Sequence, residues 1–350
     1  MTRLKKINKF RRSLMRKITG SIGQSKTSYL TRQNGKADIK TVLICRPNHR
    51  LGNLLLMTPL VQEIKSTFPN CKIDLFVQGN LASIIYQNYE YVDTIIKTPR
   101  KPFDQLRQYL RGWIKLKEKK YDLAINLEKG SSSGRLSTQF ANSEFKFFGN
   151  PEGDSAQQYS DHENNGKAPV YNFRSYLSKS GVAHDTGPVP LLDLKLDAEE
   201  IANGKNILDA LTNNDKPTIC IFTYATGSKC YPESWWMPLY KRLTSEFQAF
   251  NIIEVLPVEN VSQINFTALT FYSRDIREIG AVIANAVVFV GADSGIMHLA
   301  SSAQTPTIGL FGITMPEKYA PYGNKSIGLR TDHNYIEDCV AAVHAVVDPV

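Results

Sequence analysis

Twice along this chain, short apolar runs alternate with longer amphipathic ones, and that alternation leaves few folds open. In the first half, residues 41–45 (TVLIC), 72–77 (KIDLFV), 92–97 and 121–126 (YDLAIN) read as strands, while 54–68, 81–86 and 103–119 carry helical spacing. The second half repeats the scheme with strands at 218–222, 252–256, 287–291 and 307–311 and helices at 235–247, 274–284, 295–301 and 336–346. Apolar strands of this kind, separated by helices, form parallel sheets covered on both faces. The polar stretch 150–169 reads as a surface loop and 171–180 as a helix closing the first half, with the two halves joined near 182–195. The expected architecture is α/β: two Rossmann-like, doubly wound domains, 38–185 and 186–350, facing a central cleft. In such sheets ligands sit beyond the carboxyl ends of the strands.

A chain of 350 residues exceeds what one core usually holds, which agrees with two domains. Its net charge of +9 is unevenly placed: residues 1–32 hold ten Lys and Arg and no acid, so the remainder carries −1. Within 1–18, Leu4, Ile7, Phe10, Leu14 and Ile18 recur at three- and four-residue steps among the cations. That is the pattern of a basic amphipathic helix lying on an anionic membrane surface, with a solvated basic tail as the alternative. Residues 19–37 read as a flexible linker. Nucleic acid is disfavoured as a partner, because the body adds no basic surplus. No apolar stretch follows the basic start as a signal peptide would, and none reaches the ~20 residues of a membrane span. A cytoplasmic protein, peripheral on the inner face of the membrane, is expected. Five scattered cysteines support neither a disulfide framework nor a zinc site.

Chemistry concentrates in three strand-to-helix loops of the second half. Thr226, Gly227, Ser228 and Lys229 follow the strand at 218–222 and offer hydroxyls, main-chain N–H groups and one ammonium to a phosphate, although such loops are often plain turns. Asp293, Ser294 and Gly295 stand at the mouth of the next helix, where unpaired N–H groups and the helix dipole favour an anion; simple capping by Asp293 or Ser294 is the alternative. Residues 311–323 add Thr314 to the same crevice.

The segments VGADSGIMHLA (290–300) and TPTIGLFGIT (305–314) resemble the D-[ST]-G-x-x-H-L segment and following loop of the heptosyltransferase-like glycosyltransferases, family 9. KCYP (229–232) is similar to that family's K-x-[WY]-P element, LGNLLLMTPL (51–60) to its L-G-D turn, and YDLAIN (121–126) to a Y-D-L-x-I-D strand. The resemblance spans about residues 42–330. It implies a GT-B fold and metal-independent, inverting sugar transfer from a nucleotide-diphosphate sugar, most simply ADP-heptose, with no cofactor. The first domain would hold the acceptor, a lipopolysaccharide core or related membrane-linked glycan. Thr226, Ser228 and Lys229 would meet the donor phosphates, and Asp293, Ser294, Gly295 and His298 would complete that site. Glu259 would hold the ribose.

One position departs from the family. Where its general base, the aspartate of L-G-D, should stand, this chain has Asn53 beside Gly52. An amide cannot take the proton of an attacking hydroxyl at neutral pH. His49 or Glu128 is the substitute in this reading, unless Asn53 only orients the acceptor and Lys229 carries the rate by stabilising the leaving group. Arg46, Arg50, Gly52, Glu128, Ser131 and Arg135 are candidate acceptor contacts, with solvated or turn roles as alternatives. From a different class, a catalytically silent nucleotide-sugar-binding or scaffold protein fits the same motifs, with Asn53 as its main support. A sugar-nucleotide epimerase needs an acid/base set that the sequence does not offer.

Overall fold

The computed structural model describes residues 22–23, 38–101, 104–150, 159–332 and 334–348. The interfacial helix expected at 1–18 lies outside them, as does the linker apart from Ile22 and Gly23.

The first lobe is a parallel sheet of β1 (Thr41–Arg46), β2 (Lys72–Gln78), β3 (Val92–Thr98), β4 (Tyr121–Asn126) and β5 (Ser143–Phe147), in the order β3-β2-β1-β4-β5. Around it lie α1 (Leu51–Leu55), α2 (Thr58–Thr67), α3 (Leu81–Ile85), α4 (Leu106–Glu118), α5 (Ser132–Phe140) and α6 (Ala168–Lys179). Side chains alternate along β1. Val42 and Ile44 join one core cluster, while Leu43 and Cys45 join another beneath α4, so no β1 residue between them faces water.

The second lobe holds β6 (Thr218–Phe222), β7 (Asn251–Val255), β8 (Leu269–Phe271), β9 (Val288–Ala292), β10 (Thr307–Phe311) and β11 (Ile327–Arg330), ordered β11-β10-β9-β6-β7-β8 and again parallel. Its helices are α7 (Ala198–Thr212), α8 (Glu233–Glu246), α9 (Ile276–Ala284), α10 (Gly295–Ser302), α11 (Pro316–Tyr319) and α12 (Tyr335–Val347). In both sheets the chain returns past its first strand to add the fourth on the other side. The switch points therefore fall between β1 and β4 and between β6 and β9, where the loops part and leave a crevice.

One apolar cluster runs through both lobes, from Ile44 and Leu54 in the first to Phe289, Met297 and Leu299 in the second. The strap between lobes is pinned from each side. Tyr89 Oη donates to the carbonyl of Asp193 (2.8 Å), the Asp193 N–H donates to Thr58 Oγ1 (3.1 Å), and Arg277 on α9 donates to the carbonyls of Leu194 and Lys195. Inside the first lobe, Arg174 of α6 makes a buried two-pronged pair with Glu63 of α2, at 2.7 and 2.9 Å.

The expected helix 54–68 is two helices, starting three residues earlier and broken before Thr58. Pro59 has no N–H to give the carbonyl of Leu55, which a continuous helix would require. The Thr58 hydroxyl donates to that carbonyl instead, at 2.8 Å. Residues 159–167 turn into α6, which begins at Ala168 rather than Tyr171. Helices α5 and α7 and strands β5, β8 and β11 were not anticipated.

Candidate functional site

The loops after β6, β9 and β10 meet at the switch point of the second sheet. After β6, Thr226, Gly227 and Ser228 are exposed, and Gly227 takes φ +70° with open space where a side chain would stand. The turn Gly227–Lys229 brings the Lys229 ammonium to 3.2 Å from Asp293 Oδ2, just beyond β9. Asp293 is nearly buried and Lys229 about one-third exposed, so the carboxylate holds the ammonium while part of it still faces the crevice. Ser228, Lys229, Asp293 and Thr314 line one narrow crevice, and Gly312 adds backbone to its wall.

Helix α10 begins two residues after Asp293, which lines this crevice. Ser294 caps it, accepting from the Met297 N–H at 3.3 Å, so the hydroxyl is spent on the helix. The N–H groups of Gly295 and Ile296 are in the first turn, which has no preceding helical carbonyls to accept from them. The positive end of the helix dipole lies at this end of α10, two residues beyond Asp293.

His298, one turn into α10, is 4% exposed and its Nδ1 has no hydrogen-bond partner among the described residues. Burial pushes its pKa down to about 4, with the Asp293 charge opposing and the Lys229 charge adding to the fall. The ring is therefore neutral near pH 7. It does not stand in open solvent beside the loops: it lies against Gly52 of α1, and Gly295 lies against Leu51, so the two lobes touch where α1 crosses α10.

Glu259 is exposed on the loop after β7, close enough to the phenol of Tyr224 for its charge to act on it. Sequence reasoning missed Glu254, which sits inside β7 with no exposure. It accepts from Thr223 Oγ1 and Ser262 Oγ, and so ties the loop after β6 to the loop after β7. Burial raises its pKa, with those two hydroxyls acting the other way. The available signal was an acid in the middle of the apolar run NIIEV. Trp236 is fully buried, and Trp235 stacks between Tyr231 and Tyr335, so both belong to the core and its edge.

In the first lobe, His49, Arg50 and Asn53 follow β1, and Asn53 is half-buried one residue beyond the Gly52 contact. His49 Nδ1 lies 2.9 Å from Gln78 Oε1, and the same amide donates through Nε2 to the carbonyls of Pro99 and Arg100. Those two acceptors fix which end of Gln78 is the oxygen. Nδ1 of His49 must then be the donor, which leaves the lone pair of its neutral ring on Nε2. Arg46 is nearly buried and paired with Glu128, whose carboxylate is half exposed. Arg50 is exposed.

Two candidates are engaged elsewhere. Ser131 caps α5, accepting from the Gly134 N–H at 3.1 Å. Arg135 directs its guanidinium to the carbonyls of Ile22 and Gly23 and to Asn150 Oδ1 (3.0 Å). Neither reaches the loops around His49 through these bonds.

Two parallel, doubly wound sheets in contact where α1 meets α10 fit the GT-B arrangement. Residues 271–346 match the profile of glycosyltransferase family 9 (heptosyltransferase). Lipopolysaccharide heptosyltransferase 3 of Escherichia coli K12 is 23% identical over 289 residues, covering 75% of this chain and 80% of that protein. Lipopolysaccharide heptosyltransferase 1 of Campylobacter coli is 22% identical over 291 residues, covering 75% and 82%. Among solved structures, a family 9 glycosyltransferase from Veillonella parvula superposes with a TM-score of 0.69 at 15% identity, over 88% of this chain and 97% of that one. The E. coli heptosyltransferase WaaC with ADP gives 0.62 at 15% identity, over 88% and 99%. The chain is thus similar to family 9 heptosyltransferases in sequence over about three quarters of its length, and it shares their GT-B fold.

Proposed function

We propose that the protein transfers a heptose from ADP-heptose, with inversion, to a lipopolysaccharide core or a related membrane-linked glycan on the inner face of the cytoplasmic membrane. The observation that carries this reading is the meeting of Lys229, Asp293, Ser228 and Thr314 in one crevice, at the strand end that leads into α10. When the bond to the sugar breaks, charge accumulates on the departing diphosphate. Lys229, held by Asp293, is a cation placed in the crevice to meet that charge, and in this account the first-turn N–H groups of α10 add to it. The relatives named above are lipopolysaccharide heptosyltransferases, and one neighbouring structure holds ADP, which favours this donor and acceptor over others on the same fold.

Asn53 leaves the acceptor proton without a carboxylate at that position. His49 takes the role in this account, because its bond to Gln78 presents Nε2 as the basic nitrogen. Arg50 meets the anionic groups of the acceptor, and Thr226, Ser228 and Glu259 the donor. The basic segment 1–18 holds the enzyme on anionic lipid. The test is turnover of ADP-heptose with extracted lipid acceptor, set beside a panel of other nucleotide sugars. Transfer from ADP-heptose alone supports the proposal. Silence across the panel, with nucleotide binding intact, favours the catalytically silent binding protein, whose main support is Asn53.

A further inference from the structure

Helix α4 is packed on one side only. Gly112 and Leu116 are buried against the first lobe, where a side chain on Gly112 would meet Thr98 Cγ2 at 2.9 Å. The outward side is not polar. Leu106, Leu110 and Ile114 are 54%, 51% and 56% exposed, three of the largest aliphatic exposures in the described residues. Steps of four place them in one row along the helix, and Arg107, Arg111 and Lys115 form the adjacent row about 100° further round. These three cations are exposed and have no acidic partner among the described residues. Phe140, also exposed, extends the apolar row through its edge contact with Trp113, and Lys117 lies over its ring at 4.8 Å.

Charge identifies the occupant. Residues 33–350 sum to −1, yet residues 97–120 alone carry nine Lys and Arg against Asp104 and Glu118, a local +7. A solvated face needs no aliphatic row, and an ordinary protein interface is depleted of Lys at its core. An aliphatic row flanked by cations fits a bilayer boundary, with methyl groups among the acyl chains and ammonium and guanidinium groups at anionic headgroups.

The placement is apt for a membrane-linked acceptor. The segment leading to α4 leaves the carboxyl end of β3 through Pro99 and Arg100, whose carbonyls hold the Gln78 amide that orients His49. Arg135, on the neighbouring α5, grips Ile22 and Gly23, so the basic segment 1–21 joins the chain's body on this same lobe.

We infer that the exposed face of α4 is a second membrane-contacting surface, built into the folded first lobe and specific for an anionic bilayer. It rests on the membrane-linked acceptor of the proposed function, and it sets which rim of the cleft faces the lipid.

The experiment is co-sedimentation of the full chain with vesicles of phosphatidylethanolamine and phosphatidylglycerol or of phosphatidylcholine alone. Two triple variants are compared, Leu106→Ser/Leu110→Ser/Ile114→Ser and Arg107→Glu/Arg111→Glu/Lys115→Glu, all at exposed positions. Wild type should bind the anionic vesicles and not the neutral ones. One cation at an anionic surface changes partitioning by about fivefold, so each triple variant should bind at least about tenfold more weakly. Unchanged melting and unchanged stabilisation by ADP would show that the fold and donor site are kept. Variants that bind anionic vesicles as wild type does would overturn the inference while leaving the transferase reading intact. So would a wild-type dimer in vesicle-free solution that the serine variant dissolves, since the face would then belong to a second copy. Vesicle binding that behaves as expected with no effect of ADP on any form would sink the transferase reading instead.

Discussion

Gly52 on the first lobe and His298 on the second stand so close that a Cβ on Gly52 would lie 2.7 Å from Cδ2 of the imidazole. The neighbour of Asn53 is thus in contact with α10, the helix that begins two residues after Asp293. Helices α1 and α10 are one packed unit.

Gly52→Ala tests that packing. The added methyl must displace a buried ring or part the lobes, and overpacking of this kind costs about 1–3 kcal/mol. A lower melting temperature is expected, together with weaker ADP binding, because α10 moves with His298. Calorimetry with and without ADP reads both.

His298 also sets a pH dependence. Its folded pKa, about 4, lies below the ordinary value of 6.5, so the unfolded chain takes up the proton first. Its contribution is fully present above pH 6.5 and is lost as pH falls toward 4, by on the order of 3 kcal/mol. Denaturant midpoints measured across that range should fall for wild type and fall less steeply for His298→Leu. Parallel curves would mean the ring is not held neutral.

Glu63→Ala removes one half of the buried pair with Arg174 and leaves a guanidinium without its counter-ion. Losses of about 3–5 kcal/mol follow from breaking such pairs. Urea unfolding should register that loss, whereas Asp209→Ala, which breaks the exposed pair with Lys205, should cost less than about 1 kcal/mol.

Asn53→Asp restores a carboxylate where the family carries its base, and it should raise kcat with the acceptor concentration saturating. His49→Ala should lower kcat by about 100-fold or more, and this loss should shrink in the Asn53→Asp background. Equal losses in both backgrounds would separate His49 from the proton transfer.

The broad fold was legible because it rests on strand-and-helix alternation, and both sheets are parallel and doubly wound as that alternation implies. Elements with weak apolar pattern were not. The α5 sequence SSGRLSTQF is mostly polar, and its helix is secured by the Ser131 cap and by Arg135 reaching to Ile22 and Gly23. The α1–α2 break depends on one hydroxyl replacing one missing N–H, a detail that apolar spacing does not encode. In the site, Lys229, Asp293 and Thr314 were readable as three loops at strand ends, and the fold brings them to one crevice. Glu254 left only the trace of an acid in an apolar run and Gln78 none, because the partners of each are set by folding: Thr223 and Ser262 for one, His49 and the backbone after β3 for the other. Ser131 and Arg135 looked available in the sequence because their bonding partners are fixed only by folding.

The central claim is that the Lys229 ammonium, set by Asp293 at the amino end of α10, neutralises a nucleotide diphosphate. The most direct test is the shift in melting temperature produced by saturating ADP, which stabilises only a form that binds it. Wild type should be raised by several degrees, and Lys229→Ala should show little or no rise while melting normally without ligand. An equal rise in both proteins would contradict the account.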